Sequence, residues 1–299
     1  MILGVDLGTS GLKCVITNLN EKIVCSTSTK LNINQFNGNC FEQNPDDWIV
    51  ALETCLHNLK LENIDFSNIE AISFSAQMLG CIIIDEQDKP IRPAILWNDG
   101  RSYLESQYLE NNFTKELLPS GCRPNPGLLL PKLLWIKNNE PNNFKKIKKI
   151  LLPKDYLKLY LTGSFSTDPS DASGTMLFDL IRKDWNHNLI DELEIDRDWL
   201  PDVHPSDKDI GKIRQTLINK WNFNKKIKII NGAGDNAAAA LGSGVFKDGE
   251  MLITLGTSGV MIMSMDDFNP MIQHNYLTHA HAFENKFILE SVVLGVTNI

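Results

Sequence analysis

The 299-residue chain carries 29 lysines and arginines against 37 aspartates and glutamates, a formal net charge of −8, so no general affinity for nucleic acid or other polyanions is implied. At 42% hydrophobic, 22% charged and 8% aromatic it has the composition of an ordinary folded chain, long enough for one large domain or two. No apolar stretch approaches the roughly 20 residues of a membrane span, and Asp6 interrupts the N-terminal apolar run, so neither membrane nor signal peptide is read. The six cysteines (Cys14, Cys25, Cys40, Cys55, Cys81, Cys122) are scattered without CxxC spacing, which reads as reduced, packed thiols in a cytoplasmic protein. The lysine clusters at 145–149 and 225–228 alternate with isoleucines and read as solvated faces entering strands.

Taken in order, residues 2–6, 12–17 and 23–28 predict three short strands joined by tight turns. Asn44-Pro45-Asp46-Asp47-Trp48 supplies a polar cap and a first-turn proline for a helix to about Leu61, with Trp48, Leu52, Cys55, Leu56 and Leu59 on one face. A buried strand over 69–75 runs into Ala76-Gln77-Met78-Leu79-Gly80, a loop at the end of a strand where open α/β sheets place ligands. Residues 81–84 and 91–96 flank a turn as a hairpin, which delivers Trp97-Asn98-Asp99-Gly100-Arg101 to a helix over 102–110. A loop rich in proline and glycine follows at 119–131, then helices over 132–138 and 154–161. The Ser/Thr/Asp stretch 164–175 reads as too polar for core. A strand over 227–230 ends in Asn231-Gly232-Ala233-Gly234-Asp235-Asn236, ahead of an alanine-rich helix over 237–241 and a domain seam at 242–249.

The most informative feature is a repeat. Leu7-Gly8-Thr9-Ser10-Gly11 recurs as Leu255-Gly256-Thr257-Ser258-Gly259, each copy between two short apolar runs. Both read as β-hairpins whose tips carry glycines and hydroxyls, a cradle for phosphate oxygens. Two related units facing one ligand follow from such a repeat, with Asp6 before the first tip and Thr254 in the matching place of the second. Asp6 reads as a Mg²⁺ ligand, direct or through water, or as a strand-end aspartate pairing with nearby N–H groups. Lys13 reads as a solvated strand lysine or as a phosphate contact. Asp235 reads either as a helix N-cap or as a base that accepts a proton from a substrate hydroxyl, and the flanking glycines together with the later hairpin favour the base. Trp97 and Arg101 could form a wall and a polar grip for a sugar, or belong to the core; Gln77 and Met78 are equally open. His279 and His281 share a spacing suited to one strand face, and no Cys, Asp or Glu cluster nearby completes a metal site, so packing or exposure is the expected role.

Six segments together resemble the FGGY family of carbohydrate kinases, on its bacterial xylulokinase side. They are Gly4–Gly11, Pro93–Arg101, Leu151-Leu152-Pro153-Lys154-Asp155-Tyr156-Leu157, Ser170-Asp171-Ala172-Ser173-Gly174-Thr175-Met176, Gly234-Asp235-Asn236-Ala237-Ala238 and Leu255–Val260, in the family's order along the whole chain. The resemblance implies an α/β protein of the ribonuclease-H-like, actin-like ATPase fold, with residues 1–245 as the N-terminal kinase domain and 246–299 as the start of a second, similar domain. It implies transfer of the γ-phosphoryl of MgATP to D-xylulose, with ATP and Mg²⁺ as cofactors and Asp235 as general base. Asp6, with Asp235, is then the metal side; Gly8, Thr9, Ser10 and Lys13 with Gly256, Thr257 and Ser258 hold phosphate oxygens. Gln77, Met78, Leu79, Trp97, Asp99, Arg101 and Asn236 face the sugar.

Two departures bear on this reading. Leu79 stands where xylulokinases commonly have histidine, which removes a polar contact and opens the acceptor to another ketose, a pentitol or glycerol. The chain also stops soon after the second hairpin, which leads to the expectation of a fragment, a truncated reading frame or half of a split enzyme with little or no kinase activity alone. Homodimerisation and complementation by a separate C-terminal chain are both open. A sugar-binding remnant without catalysis and an actin-like ATPase or chaperone are the competing classes; the sugar-side sequence at 93–101 argues against the latter.

Overall fold

In the computed structural model, residues 1–255, 258–270 and 276–294 are described. The chain opens with an antiparallel meander, β1 (Ile2–Leu7), β2 (Gly11–Thr17) and β3 (Ile23–Lys30). Alternation writes the two faces: Leu3, Val5, Leu7, Leu12, Cys14 and Ile16 are buried, while Asp6 and Lys13 point the other way as directly opposed partners. The buried face is covered by α1 (Pro45–Leu61), capped by the Asn44 side chain accepting from the Asp46 N–H, with Trp48, Leu52, Cys55, Leu56 and Leu59 turned inward as the sequence predicts. β4 (Ala71–Ala76) lies parallel to β1 on its other side, and β5 (Lys228–Ile229) and β6 (Ala233–Gly234) run parallel to β4 in turn. The order β3-β2-β1-β4-β5, three antiparallel strands followed by parallel ones, is the expected ribonuclease-H-like arrangement.

The step from β5 to β6 contains a bulge. Three residues lie between Ile229 and Ala233 where two lie between their partners Ile72 and Ser75. Gly232 absorbs the extra residue at φ +77°, so close to the neighbouring strand that a Cβ would lie 2.1 Å from the Phe74 carbonyl oxygen. The bulge turns Asn231 into the interior and sends the chain directly into α2 (Asp235–Gly242).

Between β4 and β5 the chain builds a second apolar core around Leu128–Leu134, Ile147, Ile150, Met176 and Leu177, separate from the one under β1–β4. The predicted hairpin over 81–96 is present in irregular form: the Ile91 N–H donates to the Ile83 carbonyl at 2.9 Å, Cys81 and Ile95 exchange backbone hydrogen bonds, and Asp85 and Lys89 close the turn. Its arms also pair with distant strands, Ile82–Ile84 with Lys149–Leu151 and Ala94–Ile95 with Cys40–Gln43. One expectation is corrected. The stretch 164–175 is core, not surface: Ser166, Thr167, Asp168, Ser170, Asp171 and Ser173 are all essentially solvent-free. Their charges are met by Lys154 and Lys158 on the buried helix Pro153–Thr162.

After α2 a second sheet forms from β7 (Met251–Leu255), β8 (Ser258–Met265), β9 (Leu277–Ala280) and β10 (Phe287–Leu294), in the order β7-β8-β10-β9, all antiparallel. The predicted second hairpin is β7–β8. Gly256 and Thr257 lie outside the described residues, as does the side chain of Ser258.

Candidate active site

The parallel strands β1, β4 and β6 end side by side, and the segments leaving them form the site. Asp6 on β1 and Ala233 on β6 both register against Ser75 of β4, so Asp6 and Asp235 flank the same strand end. Asp6 is exposed and, among the described residues, makes no hydrogen bond or ion pair. Asp235 is the first residue of α2, and its Oδ1 accepts the Asn236 N–H at 2.9 Å. It therefore does engage its helix terminus, as the N-cap alternative predicts, without being the cap residue, which is Gly234.

Burial pushes the Asp235 carboxyl from its ordinary 3.8 up to about 7, the Asn236 N–H opposes, and the charge of Asp6 adds to the rise. Magnitudes rank the two upward effects. The rise is worth roughly 4 kcal/mol. Two strand spacings are about 9.6 Å, at which two charges in an effective dielectric near 20 repel by about 1.7 kcal/mol. Removal from water thus outweighs Asp6.

The first hairpin tip is tied to the sugar-side segments. Trp97 Nε1 donates to Thr9 Oγ1 at 2.9 Å, and that hydroxyl donates to Gln77 Oε1 at 3.0 Å. Gln43, which sequence reasoning missed, is the hub beneath them. Its Nε2 donates to the Thr9 carbonyl at 2.7 Å, and its Oε1 accepts from Gln77 Nε2 and Trp48 Nε1, both at 3.1 Å. Thr9 thereby serves the loop side, whereas Ser10 is exposed with a hydroxyl that no described residue engages. An unpartnered carboxylate, a free hydroxyl and Lys13 opposite Asp6 form a donor set that fits a hard cation and phosphate oxygens.

Met78 is buried against Gly234, where a Cβ would sit 2.5 Å from Met78 Cγ, so the loop after β4 and the segment leading to Asp235 are in contact. Leu79 sits at φ +68°, a conformation non-glycine residues rarely hold. Its carbonyl accepts from Lys132 Nζ at 2.9 Å, which also donates to the Gly127 carbonyl at 2.6 Å. Burial pulls this lysine down to about 7. The Leu79 side chain packs into the second core.

Asp99 and Arg101 occupy a different role from the expected sugar grip. The Asp99 carboxylate, 1% exposed, accepts from the Phe41 N–H at 2.6 Å and from Arg101 Nε and Nη2. Arg101 Nη1 reaches Glu42 at 2.7 Å, and the guanidinium lies 5.0 Å from the Trp135 ring. With Arg92 and Glu140 this is an internal ion cluster that holds the segment after Trp97 in place, and all three guanidinium nitrogens of Arg101 are engaged.

Behind Asp235 lies the buried charge cluster. Lys154 Nζ is 2.8 Å from Asp155, 3.1 Å from Asp168 and 3.3 Å from Asp171. Lys158 Nζ is 3.0 Å from Asp155 and donates to Asn231 Oδ1. Burial and then the neighbouring carboxylates push Asp171 well above the usual carboxylate range. Three carboxyl groups thus surround the Lys154 ammonium, and Lys158 adds a second ammonium beside Asp155. Asp168 Oδ2 accepts from Ser170 Oγ, which in turn accepts the Gly234 N–H at 3.0 Å, so the cluster is wired to the residue preceding Asp235.

The second sheet adds a carboxyl the sequence reading did not single out. Glu290 on β10 is 4% exposed and its Oε1 accepts from Asn236 Nδ2 at 2.7 Å. Burial, then the Asp235 charge, push Glu290 up to about 7. His279 on β9 is buried and pulled down to about 4, hence neutral. His281 accepts the Phe283 N–H at Nδ1, so its Nε2 carries the proton and donates to the Val245 carbonyl at 2.8 Å. Packing is thus the role of both histidines; among the described residues no cluster of three or more potential metal ligands occurs, nor is any helix long and apolar enough to cross a membrane.

The sheet topology and the carboxylates at its edge define the actin-like, ribonuclease-H-like class of α/β proteins. Residues 1–242 match the N-terminal domain of the FGGY family of carbohydrate kinases. A xylulose kinase of Lactococcus lactis is 37% identical over 298 residues, covering 99% of this chain and 58% of its own length. A xyloylose kinase from Brucella ovis, 34% identical, superposes with a TM-score of 0.95 over 99% of this chain and 61% of that one. A gluconate kinase from Lactobacillus acidophilus, 27% identical, gives 0.91 over 97% and 59%. The chain belongs to the FGGY family of carbohydrate kinases. It spans about three fifths of the length of these relatives.

Proposed function

We propose that this chain carries the acceptor-binding and base-bearing part of an ATP-dependent sugar kinase that phosphorylates a hydroxyl of a ketose, D-xylulose first among the candidates. One observation carries the reading. Asp235 stands at a strand end beside the Gln77–Leu79 loop, with its carboxyl held near neutrality. A base of that pKa accepts a hydroxyl proton at neutral pH without being permanently ionised or protonated. Phosphoryl transfer asks little covalent chemistry of a protein, mostly positioning and charge compensation with one base orienting the nucleophile. Met78 and Asn236 border the acceptor and fix its hydroxyl toward Asp235. Trp97, tied to Thr9, walls the same space, and the Asp99–Arg101 cluster keeps Trp97 in position. Asp6, Ser10 and Lys13, with the tips of both hairpins, are the residues that would hold Mg²⁺ and the ATP phosphates; bound there, the cation neutralises phosphate charge. Residues 1–245 are read as the sugar-side unit and those from 246 onward as part of a second.

The test pairs two measurements on the full chain and on Asp235→Asn. Calorimetry reads binding of D-xylulose, other ketoses, pentitols, glycerol and gluconate; a coupled assay reads ADP release with MgATP. Expected are sugar binding by both proteins and, in whatever sugar-dependent ADP release the chain supports, a loss of at least ~10²-fold in the variant, the scale of a general base. Measurable ADP release that is indifferent to every sugar, or measurable and equal in the two proteins, refutes the proposal in favour of an actin-like ATPase; absence of binding of every sugar by both proteins refutes it as well.

A further inference from the structure

Glu290 is buried in a mostly apolar strand beside the buried Ile288 and Leu289, and a carboxyl in such a place needs a partner. Among the described residues the one donor within hydrogen-bond distance is Asn236 Nδ2 at 2.7 Å; His279 Nε2 is 3.9 Å away, too far. Glu290 Oε1 accepts from the amide's NH₂ end, which turns Oδ1 the other way; the ionised carboxylate can only accept and so enforces this orientation. No described residue donates to that Oδ1. Asn236 is half-buried in the first turn of α2, adjacent to Asp235.

We propose that Glu290 is a specificity-determining positioning residue, which by holding Asn236 Nδ2 presents Asn236 Oδ1 as an acceptor to a hydroxyl of the substrate. The proposal rests on the sugar-kinase reading of the same site and adds to it a requirement on the second sheet: β10 must be docked for the acceptor to be set. A fixed acceptor discriminates against sugars lacking the matching hydroxyl, because the carbonyl oxygen is then left unpaired. Without Glu290 the amide is free to rotate and offer NH₂ instead.

The experiment measures D-xylulose affinity by calorimetry for the unaltered chain, Glu290→Leu, Glu290→Gln and Asn236→Ala, with thermal unfolding alongside. Loss of one hydrogen bond predicts roughly tenfold weaker sugar binding for Glu290→Leu and for Asn236→Ala. Glu290→Gln, whose carbonyl still accepts from Nδ2, should restore affinity to within about threefold, on the same hydrogen-bond scale. In the Asn236→Ala background Glu290→Leu should add nothing. In turnover the sugar KM should rise while the ATP KM stays unchanged. Unchanged affinity in Glu290→Leu, no rescue by glutamine, or additive effects in the double variant overturns the proposal alone. If Glu290→Leu does not fold, the Asn236→Ala and Glu290→Gln results decide by the same criteria. Absence of binding of every sugar by the unaltered chain overturns this proposal and the kinase reading together.

Discussion

Lys154→Met is the sharpest test of the buried charge cluster. The substitution keeps most of the side-chain stem and removes one ammonium from contact with three carboxyl groups, all with no exposure to solvent. Lys158 then stands alone against Asp155 and Asp168. Removing one partner of a buried ion pair costs about 3–5 kcal/mol, a large share of the roughly 5–15 kcal/mol that holds a domain folded. The pH dependence identifies the cause. In the native cluster burial raises Asp155, but Lys154 and then Lys158 outweigh it and hold the carboxyl below its usual range. Without Lys154 the larger of the two downward influences is gone, so the folded-state value of Asp155 rises. A carboxyl held low in the folded state contributes stability above its unfolded value that is lost as pH falls through the folded one, and the variant forfeits it. The penalty should therefore be larger at pH 7 than at pH 4. Urea unfolding followed by tryptophan fluorescence at both pH values measures it. A penalty below ~1 kcal/mol, far under that expected range, or one equal at the two pH values, would refute the ionic account.

Gly232→Ala should destabilise by about 2–5 kcal/mol, since a left-handed alanine costs roughly 1–2 and the overpacking against the Phe74 carbonyl another 1–3; thermal unfolding reads it, and a loss under ~1 kcal/mol contradicts the bulge geometry. Trp97→Phe removes the donor to Thr9 Oγ1 while keeping a ring in place, so sugar affinity should fall roughly fivefold, the equivalent of about 1 kcal/mol. Calorimetry showing no change would place that hydrogen bond outside acceptor binding.

Much of the fold is legible because it is written locally. The alternation Leu3, Val5, Leu7 fixes the face of β1 whatever surrounds it, and Asn44 with Pro45 marks where α1 begins. The repeat at 7–11 and 255–259 announces two hairpins, and the structure brings Asp6, Met78, Asn236 and Asp235 to one sheet edge. What was not legible depends on partners distant in sequence. The first arm of the 81–96 hairpin also pairs with Lys149–Leu151, a ladder that no local pattern in either segment reveals. The polar run 164–175 reads as surface because polarity is counted residue by residue, whereas its burial is decided by Lys154 and Lys158. A signal existed there: two lysines four apart with an aspartate between them, on a helix otherwise too apolar to face water. Glu290 offered a similar one, a single carboxyl inside the run Phe287–Leu294.

The missed residues share a function, which is to hold the legible ones. Gln43 fixes Thr9 and Gln77, Lys132 fixes the carbonyl of a left-handed Leu79, Asp168 through Ser170 fixes Gly234, and Glu290 fixes Asn236. Each support is a buried polar group, costly to desolvate and retained where it over-determines a geometry that the backbone alone would not keep. The same economy sets the base. Burial is the larger cause of the Asp235 rise and repulsion from Asp6 the smaller. Neutralising Asp6 therefore leaves Asp235 still raised. Its readiness to take a proton belongs to its place at the start of α2, where removal from water raises the carboxyl before any substrate arrives.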